Sequence, residues 1–406
     1  MKILYFHQHF TTPKGASGTR SYEMAQRLIA KGHQVTMVCG SHGLGETGLT
    51  SAFQGNRRRG FVDGIDVIEF NMAYSNNDRF IKRTWTFIRF ALSSIKVAFE
   101  AEYDILFATT TPLTAGIPGI FARWFRGKPF VFEVRDLWPK LPKAMGVITN
   151  PIILWAMSVL EWVSYHSANR LIGLSPGIVD GILERGIPKN RVTMIPNGCD
   201  LNIFSQTQTP TWRPSEVKDT DLMAIFTGTH GLANGLDAVL DAALELKKRG
   251  RDDIKLVLIG GGKCKNDLQK RAKEQELDNV IFHDPVSKLH LAGLMASTDI
   301  GMQILANIPA FYYGTSPNKF FDYLSSGLPV LNNYPGWLSG IITENHCGFA
   351  VPPENPTAFA NALEAAADDR EALKEMGKNS LKLAQEKFNR DILSNQWVEW
   401  LLLTQS

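Results

Sequence analysis

Cysteine is scarce in this 406-residue chain, and its distribution excludes one common kind of metal site. The four cysteines are far apart, with no C-x-x-C pair and no nearby pair of histidines: Cys39, Cys199, Cys264 and Cys347. This spacing gives no recognisable zinc site, and it fits a reducing compartment. We therefore expect a protein of the cytoplasm.

The chain also lacks a long apolar run and a strong charge of either sign. No stretch of about 18 apolar residues occurs, so we expect no membrane-spanning helix. Residues 1–7 become polar too soon for a signal peptide. The net charge of +3 is too small a basic excess for a dedicated nucleic-acid-binding protein. These absences favour a soluble or peripheral membrane protein.

Two glycine-rich loops resemble nucleotide-binding motifs without completing them. The loop at 13–20, Pro-Lys-Gly-Ala-Ser-Gly-Thr-Arg, is not a full G-x-G-x-x-G, and no acidic residue follows the next strand at the expected place, so it predicts NAD binding only weakly. Its glycines would let a ligand approach the backbone; a flexible loop without a ligand is the alternative. Gly260–Lys263 lacks the spacing of a phosphate-binding loop and does not predict an ATPase.

Short apolar runs alternate with helical patterns along the whole chain, which predicts parallel sheets with crossover helices. In the first half the predicted strands are Ile3–Phe6, Gln34–Cys39, Ile65–Phe70, Asp104–Ala108, Pro129–Val134, Arg170–Leu174 and Val192–Ile195. In the second half they are Leu222–Thr227, Ile254–Ile259, Val280–Phe282, Asp299–Met302, Pro329–Leu331 and Gly348–Val351.

This alternation predicts an α/β fold of two Rossmann-like, doubly wound domains facing across a cleft, because the chain is too long for one core. The first domain covers 1–204, and the second covers 219–388. Residues 205–218 have no periodicity and form a linker. Residues 389–406 form a helix that returns to the first domain.

Residues 316–322, Ser-Pro-Asn-Lys-Phe-Phe-Asp, carry the most informative pattern in the chain. A turn opens a helix there, and Lys319 lies in its first turn. Because the first N–H groups of a helix lack internal partners and sit at its positive end, such an end binds phosphate. Asp322, three residues later, would accept a hydrogen bond from a ribose hydroxyl. The alternative is that Asn318 merely caps the helix.

Charged residues also cluster at the end of a predicted strand, in Glu-Val-Arg-Asp-Leu-Trp-Pro at 133–139. One carboxylate at a strand end usually caps a helix or pairs with a cation. Three charges in four residues at a predicted cleft leave a structural and a functional role both open. Asp136 is the functional candidate.

Residues 79–99 predict a basic amphipathic helix. Its apolar residues recur at alternating spacings of four and three: Ile81, Trp85, Ile88, Leu92, Ile95 and Phe99. Its cations are Arg79, Lys82, Arg83, Arg89 and Lys96. Such a helix rests on an anionic membrane surface, or it turns its apolar face to the core and leaves its lysines in solvent. The apolar segment Ile152–Leu160, with Trp155 and Trp162, would extend that surface or belong to the core.

Over essentially its whole length, the chain resembles the retaining glycosyltransferases of family 4, which have the GT-B fold. The matching segments are Gly15–Arg20, Arg191–Asp200, Gly228, Leu258–Gly262, Ser316–Asp322 and Tyr323–Val330. Each segment is weak alone, whereas their order and spacing together are specific. Within the family the chain is most similar to transferases of bacterial O-antigen and capsule assembly, including those that add N-acetyl-L-fucosamine to a lipid-linked sugar.

The resemblance implies roles for the matching residues. Asp322 would contact the donor ribose, the backbone of Pro317–Lys319 would bind the diphosphate, and Gly15–Gly18 would close on it from the other domain. Pro285-Val286 would read the nucleobase, and Asp136 would face the acceptor. The catalytic candidates are Asp136, Lys319 and His230. The donor-binding candidates are Gly15, Ser17, Gly18, Arg20, Gly231, Pro285, Val286, Ser316, Pro317, Asn318 and Asp322.

The chain departs from the family pattern at two places. Gly314 stands where the first glutamate of the E-x7-E motif belongs. His230 and Asn234 stand in the region of the family's arginine and lysine. The cationic clamp on the phosphates would then rest on Lys319, His230, Arg20 and two helix N-termini. An inactive homologue is one alternative, although the similar O-antigen enzymes share the S-P-N-K-x-x-D variant.

These features together predict transfer of a sugar from a nucleotide sugar, such as UDP-N-acetyl-fucosamine, with retention. We expect no metal or other cofactor, since no Asp-x-Asp motif lies in a plausible loop. The implied acceptor is a polyprenyl-diphosphate-linked saccharide at the cytoplasmic face of the inner membrane, in O-antigen or capsule biosynthesis. Two alternatives stay open: a UDP-sugar epimerase, and a non-catalytic, membrane-associated subunit of a polysaccharide assembly complex.

Overall fold

The computed structural model of the protein describes residues 1–15, 18–43, 45–72, 80–204 and 210–404. It divides into two compact units. The N-terminal unit comprises Met1–Pro196, Gly314–Ser316 and Asp391–Ser406, and the C-terminal unit comprises Asn197–Tyr313 and Pro317–Arg390. Each unit contains one sheet and a hydrophobic core of its own.

The sheet of the N-terminal unit has eight strands. They are β1 (Lys2–Phe6), β2 (Gln34–Gly40), β3 (Arg57–Val62), β4 (Ile65–Phe70), β5 (Ile105–Thr109), β6 (Phe130–Val134), β7 (Arg170–Gly173) and β8 (Val192–Met194). Their order is β3-β4-β2-β1-β5-β6-β7-β8. All neighbouring strands are parallel except β3 and β4, which are antiparallel.

Helices connect these strands and cover the sheet. They are α1 (Arg20–Ala30), α2 (Phe80–Glu100), α3 (Ile117–Arg126), α4 (Lys140–Ala144), α5 (Pro151–Ser167) and α6 (Pro176–Leu183), joined by α16 (Arg390–Leu402) from the end of the chain. Central strands such as β5 and β6 are buried at every position, which explains their almost wholly apolar sequences. The buried ring of Trp397 in α16 lies 4.7 Å from that of Phe107 in β5.

The sheet of the C-terminal unit has six strands, all parallel. They are β9 (Leu222–Thr227), β10 (Ile254–Ile259), β11 (Val280–His283), β12 (Ile300–Gln303), β13 (Val330–Asn332) and β14 (Gly348–Ala350), in the order β11-β10-β9-β12-β13-β14. Because the strands are parallel, the loops that follow them meet at one edge of the sheet. That edge carries the candidate site of this unit.

The helices of the C-terminal unit complete the alternation. They are α7 (Leu201–Phe204), α8 (Asp237–Lys248), α9 (Lys265–Glu274), α10 (Lys288–Met295), α11 (Pro309–Gly314), α12 (Asn318–Ser325), α13 (Trp337–Glu344), α14 (Pro356–Asp368) and α15 (Arg370–Glu386). Gly327, with φ of +67°, follows the end of α12. Of the predicted linker, residues 210–218 contain no helix or strand, and residues 205–209 lie outside the described residues.

The predicted strands are confirmed in both units, with ends that differ by at most one residue. The sequence missed only β3 among the strands of the described residues. This strand begins with three arginines, and Arg58 and Arg59 pair with Glu69 and Asp66 of the neighbouring β4. A charged strand at the edge of a sheet lacks the apolar signal by which strands are recognised.

The helix predicted over 79–99 is α2, and its orientation corrects one interpretation; Arg79 itself lies outside the described residues. The predicted apolar face is exposed at Ile81, Trp85, Ile88, Leu92 and Phe99. The opposite face is buried instead, at Thr86, Phe90, Ala91, Ser94, Val97 and Ala98. The interpretation in which the first face turns to the core is therefore wrong, because small and apolar residues of the second face pack there.

No helix in the described part of the chain is long and apolar enough to cross a membrane.

Candidate active site

The start of α12 has the open N-terminus that the sequence predicts. Pro317 precedes the helix, and its side chain accepts no hydrogen bond from the N–H groups of the first turn. Asn318 is already helical, so the alternative in which it caps the helix is wrong. The N–H of Phe320 donates to the carbonyl of Pro317 at 3.2 Å, and the N–H groups of Asn318 and Lys319, at the positive end of the helix, are the candidates for binding an anion.

Lys319 lies in the first turn of α12 against neutral groups. Its Nζ donates a hydrogen bond to Oδ1 of Asn234 at 3.0 Å and lies 4.1 Å from the centre of the Phe226 ring. Among the described residues it forms no ion pair. Burial without a counter-charge lowers the pKa of Lys319 to about 7. An anion bound here would stabilise the protonated lysine.

Glycines shape the backbone around Lys319. A Cβ at Gly228, at the end of β9, would lie 3.2 Å from Cε of Lys319. A Cβ at Gly260 would lie 1.8 Å from the carbonyl oxygen of Gly228, and one at Gly262 would lie 2.5 Å from the carbonyl oxygen of His230. All three glycines have positive φ. The loops after β9 and β10 thus approach so closely that only glycine fits.

His230 is buried in the loop after β9, beside these glycines. Its backbone N–H donates to the carbonyl of Gly261 at 2.9 Å. Neither ring nitrogen has a hydrogen-bond partner among the described residues. Burial, with smaller contributions from the charges of Lys265 and Lys319, lowers the pKa of His230 to about 4. The imidazole is therefore neutral near pH 7, and it offers one N–H donor rather than the positive charge expected from the sequence.

Asp322 lies one turn after Lys319 but belongs to a different set of charges. Its Oδ1 lies 3.3 Å from Nζ of Lys288, which also pairs with Asp200. Asp200 in turn accepts hydrogen bonds from the buried Arg390. Burial raises the pKa of Asp322, and Lys288 lowers it in part. The predicted contact of Asp322 with a ribose stays a prediction.

Sequence reasoning missed three members of this buried network: Asp200, Lys288 and Arg390. Burial alone would raise the pKa of Asp200, but the charges of Arg390 and Lys288 hold it below its usual value. Asp200 lies in a segment that carries the family resemblance, which was the one available signal. No local pattern connects these residues, because they are brought together from distant parts of the chain.

The other donor-binding candidates of this region lie in loops and turns. Gly231 opens a short 3-10 turn after His230. Pro285 and Val286 follow β11, and Cγ of Pro285 would lie 3.4 Å from a Cβ at Gly261. Ser316 is partly buried immediately before Pro317. The nucleobase and phosphate roles of these residues stay predictions.

Arg20 is buried in the N-terminal unit, and its hydrogen bonds lie within that unit. Its Nε and Nη2 donate to Oε2 of Glu133, and its Nη1 donates to the carbonyl of Pro196 at 2.6 Å. Burial alone would raise the pKa of Glu133, but Arg20 and Arg135 hold it at about 2. The structure thus places Arg20 in an internal ion pair that fixes the end of β6, and its predicted donor contact stays a prediction.

Asp136 follows β6 at the same edge of the sheet. Its Oδ2 accepts a hydrogen bond from Oγ1 of Thr111 at 2.9 Å, and burial raises its pKa. Gly15 and Gly18 lie before α1, whose N-cap residue Thr19 provides no side-chain hydrogen bond to the helix. Ser17 lies outside the described residues. The start of α1 is thus a second open helix N-terminus.

No group of three histidine, cysteine, aspartate or glutamate side chains suited to a metal ion occurs within the described ranges.

Two segments of the chain match models of glycosyl transferase domains. Residues 15–198 match the Glycosyl transferase 4-like domain, and residues 208–383 match Glycosyl transferases group 1. The D-inositol 3-phosphate glycosyltransferase of Paenarthrobacter aurescens is 28% identical over 222 residues, which cover 52% of this chain and 52% of that protein. The chain thus spans about half the length of this curated relative.

Solved structures resemble the whole chain. Sucrose-phosphate synthase from Thermosynechococcus elongatus matches with a TM-score of 0.76 and 17% identity over 100% of both chains. HepE from Anabaena, in complex with UDP and glucose, matches with a TM-score of 0.70 and 16% identity over 99% of both chains. The predicted GT-B fold, with two α/β domains built on parallel sheets, is confirmed.

Proposed function

Because the chain combines a glycosyl transferase 4-like domain with a domain of the group 1 glycosyl transferases, we propose that it moves a sugar from a nucleotide sugar to a lipid-linked saccharide. The anomeric configuration is retained in this proposal. The process served is O-antigen or capsule biosynthesis, in line with the similarity of the S-P-N-K-x-x-D segment to enzymes of that kind.

One observation carries the proposal: an uncompensated lysine at an open helix N-terminus. Lys319 has a neutral amide and an aromatic ring beside its ammonium group, and the pKa is lowered to about 7. An isolated buried charge is costly, so its retention at this place favours an anionic ligand. The diphosphate of a nucleotide sugar provides the counter-charge that no described residue gives Lys319.

The chemistry follows from that placement. When the anomeric C–O bond of the donor breaks, the leaving diphosphate gains negative charge, and preorganised donors stabilise it. Lys319 and the N–H groups at the start of α12 supply such donors, and neutral His230 supplies one N–H. The acceptor hydroxyl attacks on the side of the leaving group and gives its proton to a departing phosphate oxygen. Asp136 orients the acceptor.

The donor in this proposal is a UDP-sugar, and no metal takes part. The binding of UDP by HepE, a protein of similar fold, supports UDP as the nucleotide to test first. An N-acetylated aminosugar such as N-acetyl-L-fucosamine is the first sugar to test. The acceptor is a polyprenyl-diphosphate-linked saccharide at the inner membrane surface.

Calorimetric titration with UDP, GDP and ADP, with and without magnesium, tests the donor site. We expect UDP to bind most tightly and to bind equally well in EDTA. Binding that requires magnesium would overturn the metal-free site, and failure of every nucleotide to bind would overturn the role of Lys319. An NMR assay of the product then reports the anomeric configuration.

A second candidate is the non-catalytic subunit, and Gly314 in place of the motif glutamate favours it. The two functions separate in one assay with a panel of UDP-sugars and lipid-linked acceptors. Transfer to an acceptor supports the enzyme, whereas UDP binding without transfer or donor turnover supports the subunit.

A further inference from the structure

Three helices of the N-terminal unit expose large apolar side chains next to one another. Helix α3 packs against both α2 and α5, and the ring of Phe125 in α3 lies 6.5 Å from that of Phe99 in α2. The exposed residues are Ile81, Trp85, Ile88, Leu92 and Phe99 in α2, Phe121, Trp124 and Phe125 in α3, and Ile152, Ile153, Trp155, Val159 and Trp162 in α5. We call these residues the three-helix face.

The three-helix face is unusual for a surface in contact with water. Trp85, Trp124 and Trp155 are 58%, 60% and 68% exposed, one from each helix. Scattered apolar side chains are normal on a protein surface, whereas a concentration of them on adjoining helices marks an interaction site. Helix α5 makes the point most clearly, because its large apolar residues are exposed while its buried residues include Glu161, Ser164 and Tyr165.

Charge distinguishes between the partners that would fit this face. Helices α2 and α3 carry six basic residues: Lys82, Arg83, Arg89, Lys96, Arg123 and Arg126. The acidic residues of the three helices are Glu100 and Glu161, and Glu161 is buried and paired with Arg185. The face is therefore apolar with basic residues among and beside its aromatic rings. Its partner must offer apolar depth together with negative charge.

We propose that the three-helix face binds the surface of an anionic lipid bilayer. Tryptophan and phenylalanine side chains enter the boundary between headgroups and acyl chains, and lysines and arginines contact anionic headgroups. A second copy of the chain would fit this face less well, because its own three-helix face would place like positive charges opposite one another. The binding rests on these surface residues alone and does not depend on sugar transfer.

Co-sedimentation of the full chain with vesicles tests this assignment. We expect binding to vesicles of phosphatidylglycerol and phosphatidylethanolamine, and binding weaker by about tenfold to vesicles of phosphatidylcholine alone. One variant removes the aromatic residues: Trp85→Ser, Trp124→Ser and Trp155→Ser. Another reverses the charges: Lys82→Glu, Arg89→Glu and Lys96→Glu. Each variant should lower the partition onto the anionic vesicles by about tenfold or more.

Matched controls keep the outcome specific. Phe61→Ser removes an aromatic ring that is 78% exposed in β3, and Lys382→Glu reverses an exposed charge in α15, so neither should alter vesicle binding. Calorimetry with UDP separates a loss of membrane binding from a loss of the donor site. Unchanged vesicle binding in both triple variants would overturn the proposal. The proposal would also be overturned if the protein bound no vesicles and formed dimers that the aromatic variant dissociates. The three-helix face would then be an interface between two copies of the chain.

Discussion

Two lysines of the C-terminal unit lie in the first turns of helices, and their surroundings are opposite. Burial alone would lower the pKa of Lys288 in α10, but the carboxylates of Asp200 and Asp322 raise it. Lys319 in α12 faces an amide and an aromatic ring, and burial lowers its pKa to about 7. One lysine is compensated within the protein and belongs to its framework. No described residue gives the other a counter-charge, and a ligand is the group that can supply it.

The largest expected effect comes from removing the compensated lysine. Lys288→Met leaves the carboxylate of Asp322 buried without its cation, so the free energy of unfolding should fall by about 3–5 kcal/mol. Chemical denaturation monitored by circular dichroism measures this fall. The double variant Lys288→Met with Asp322→Leu removes both charges and should recover much of the loss. A single variant as stable as the wild type would show that the network contributes nothing to folding.

Removing Lys319, the uncompensated lysine, should lower turnover strongly and change stability little. Lys319→Ala deletes the donor that the proposed function places at the leaving diphosphate, so turnover should fall by about 100- to 1,000-fold. Stability should change little, because the variant removes a partly buried charge but also its hydrogen bond to Asn234 and its contact with the ring of Phe226. Steady-state kinetics and thermal unfolding measure the two quantities.

Lys270→Ala is the matched control for this loss of turnover. Lys270 is an exposed lysine of α9 whose ion pair with Glu274 spans 3.8 Å, and exposed pairs of this kind contribute little. Its turnover should equal that of the wild type. Near-normal turnover of Lys319→Ala would contradict the phosphate role.

The contrast between the two lysines also marks what the sequence can reveal. Lys319 was predictable because its setting is local: a turn, a helix start and a lysine within a few residues. The compensation of Lys288 was not, because Asp200 and Asp322 reach it from separate parts of the chain and no spacing rule connects them. The same limit applies to Arg20, whose buried pair with Glu133 joins α1 to β6.

The strands and the orientation of α2 show the same difference between features set by the local sequence and features set by packing. Apolar runs located nearly every strand, since burial on both faces leaves a continuous apolar signal. The pattern in α2 correctly predicted a helix with an apolar stripe. It did not reveal which side faces the core, because Phe90 and Val97 on the buried side are apolar as well. Packing decides that choice, and packing is not a local property.

A single substitution would make Lys319 resemble Lys288. Asn234→Asp places a carboxylate where the amide now accepts a hydrogen bond from Lys319 at 3.0 Å. The new charge should raise the pKa of Lys319 and repel a diphosphate, so the affinity for UDP should fall by about tenfold. Calorimetry measures the affinity. Asn355→Asp, which makes the same change at the exposed N-cap of α14, should leave it unaltered. Unchanged UDP affinity in Asn234→Asp would separate Lys319 from the donor phosphates.

The mildest test leaves the wild-type chain intact and changes only the pH. Because the pKa of Lys319 is about 7, the free protein loses this charge as the pH rises above 7, whereas bound diphosphate favours the protonated form. The affinity for UDP should therefore fall above pH 7, by at most about tenfold per pH unit. Lys319→Arg should bind with a flatter pH profile, since a guanidinium stays protonated throughout this range. A UDP affinity that is constant between pH 7 and 9 would mean that Lys319 keeps its charge without a ligand, and the contrast with Lys288 would then disappear.

The same pKa shift affects stability. Between pH 7 and about 10 the unfolded chain binds more protons than the folded one, because the pKa of Lys319 is lowered only in the folded state. The free energy of unfolding of the wild type, relative to that of Lys319→Met, should therefore rise across that window.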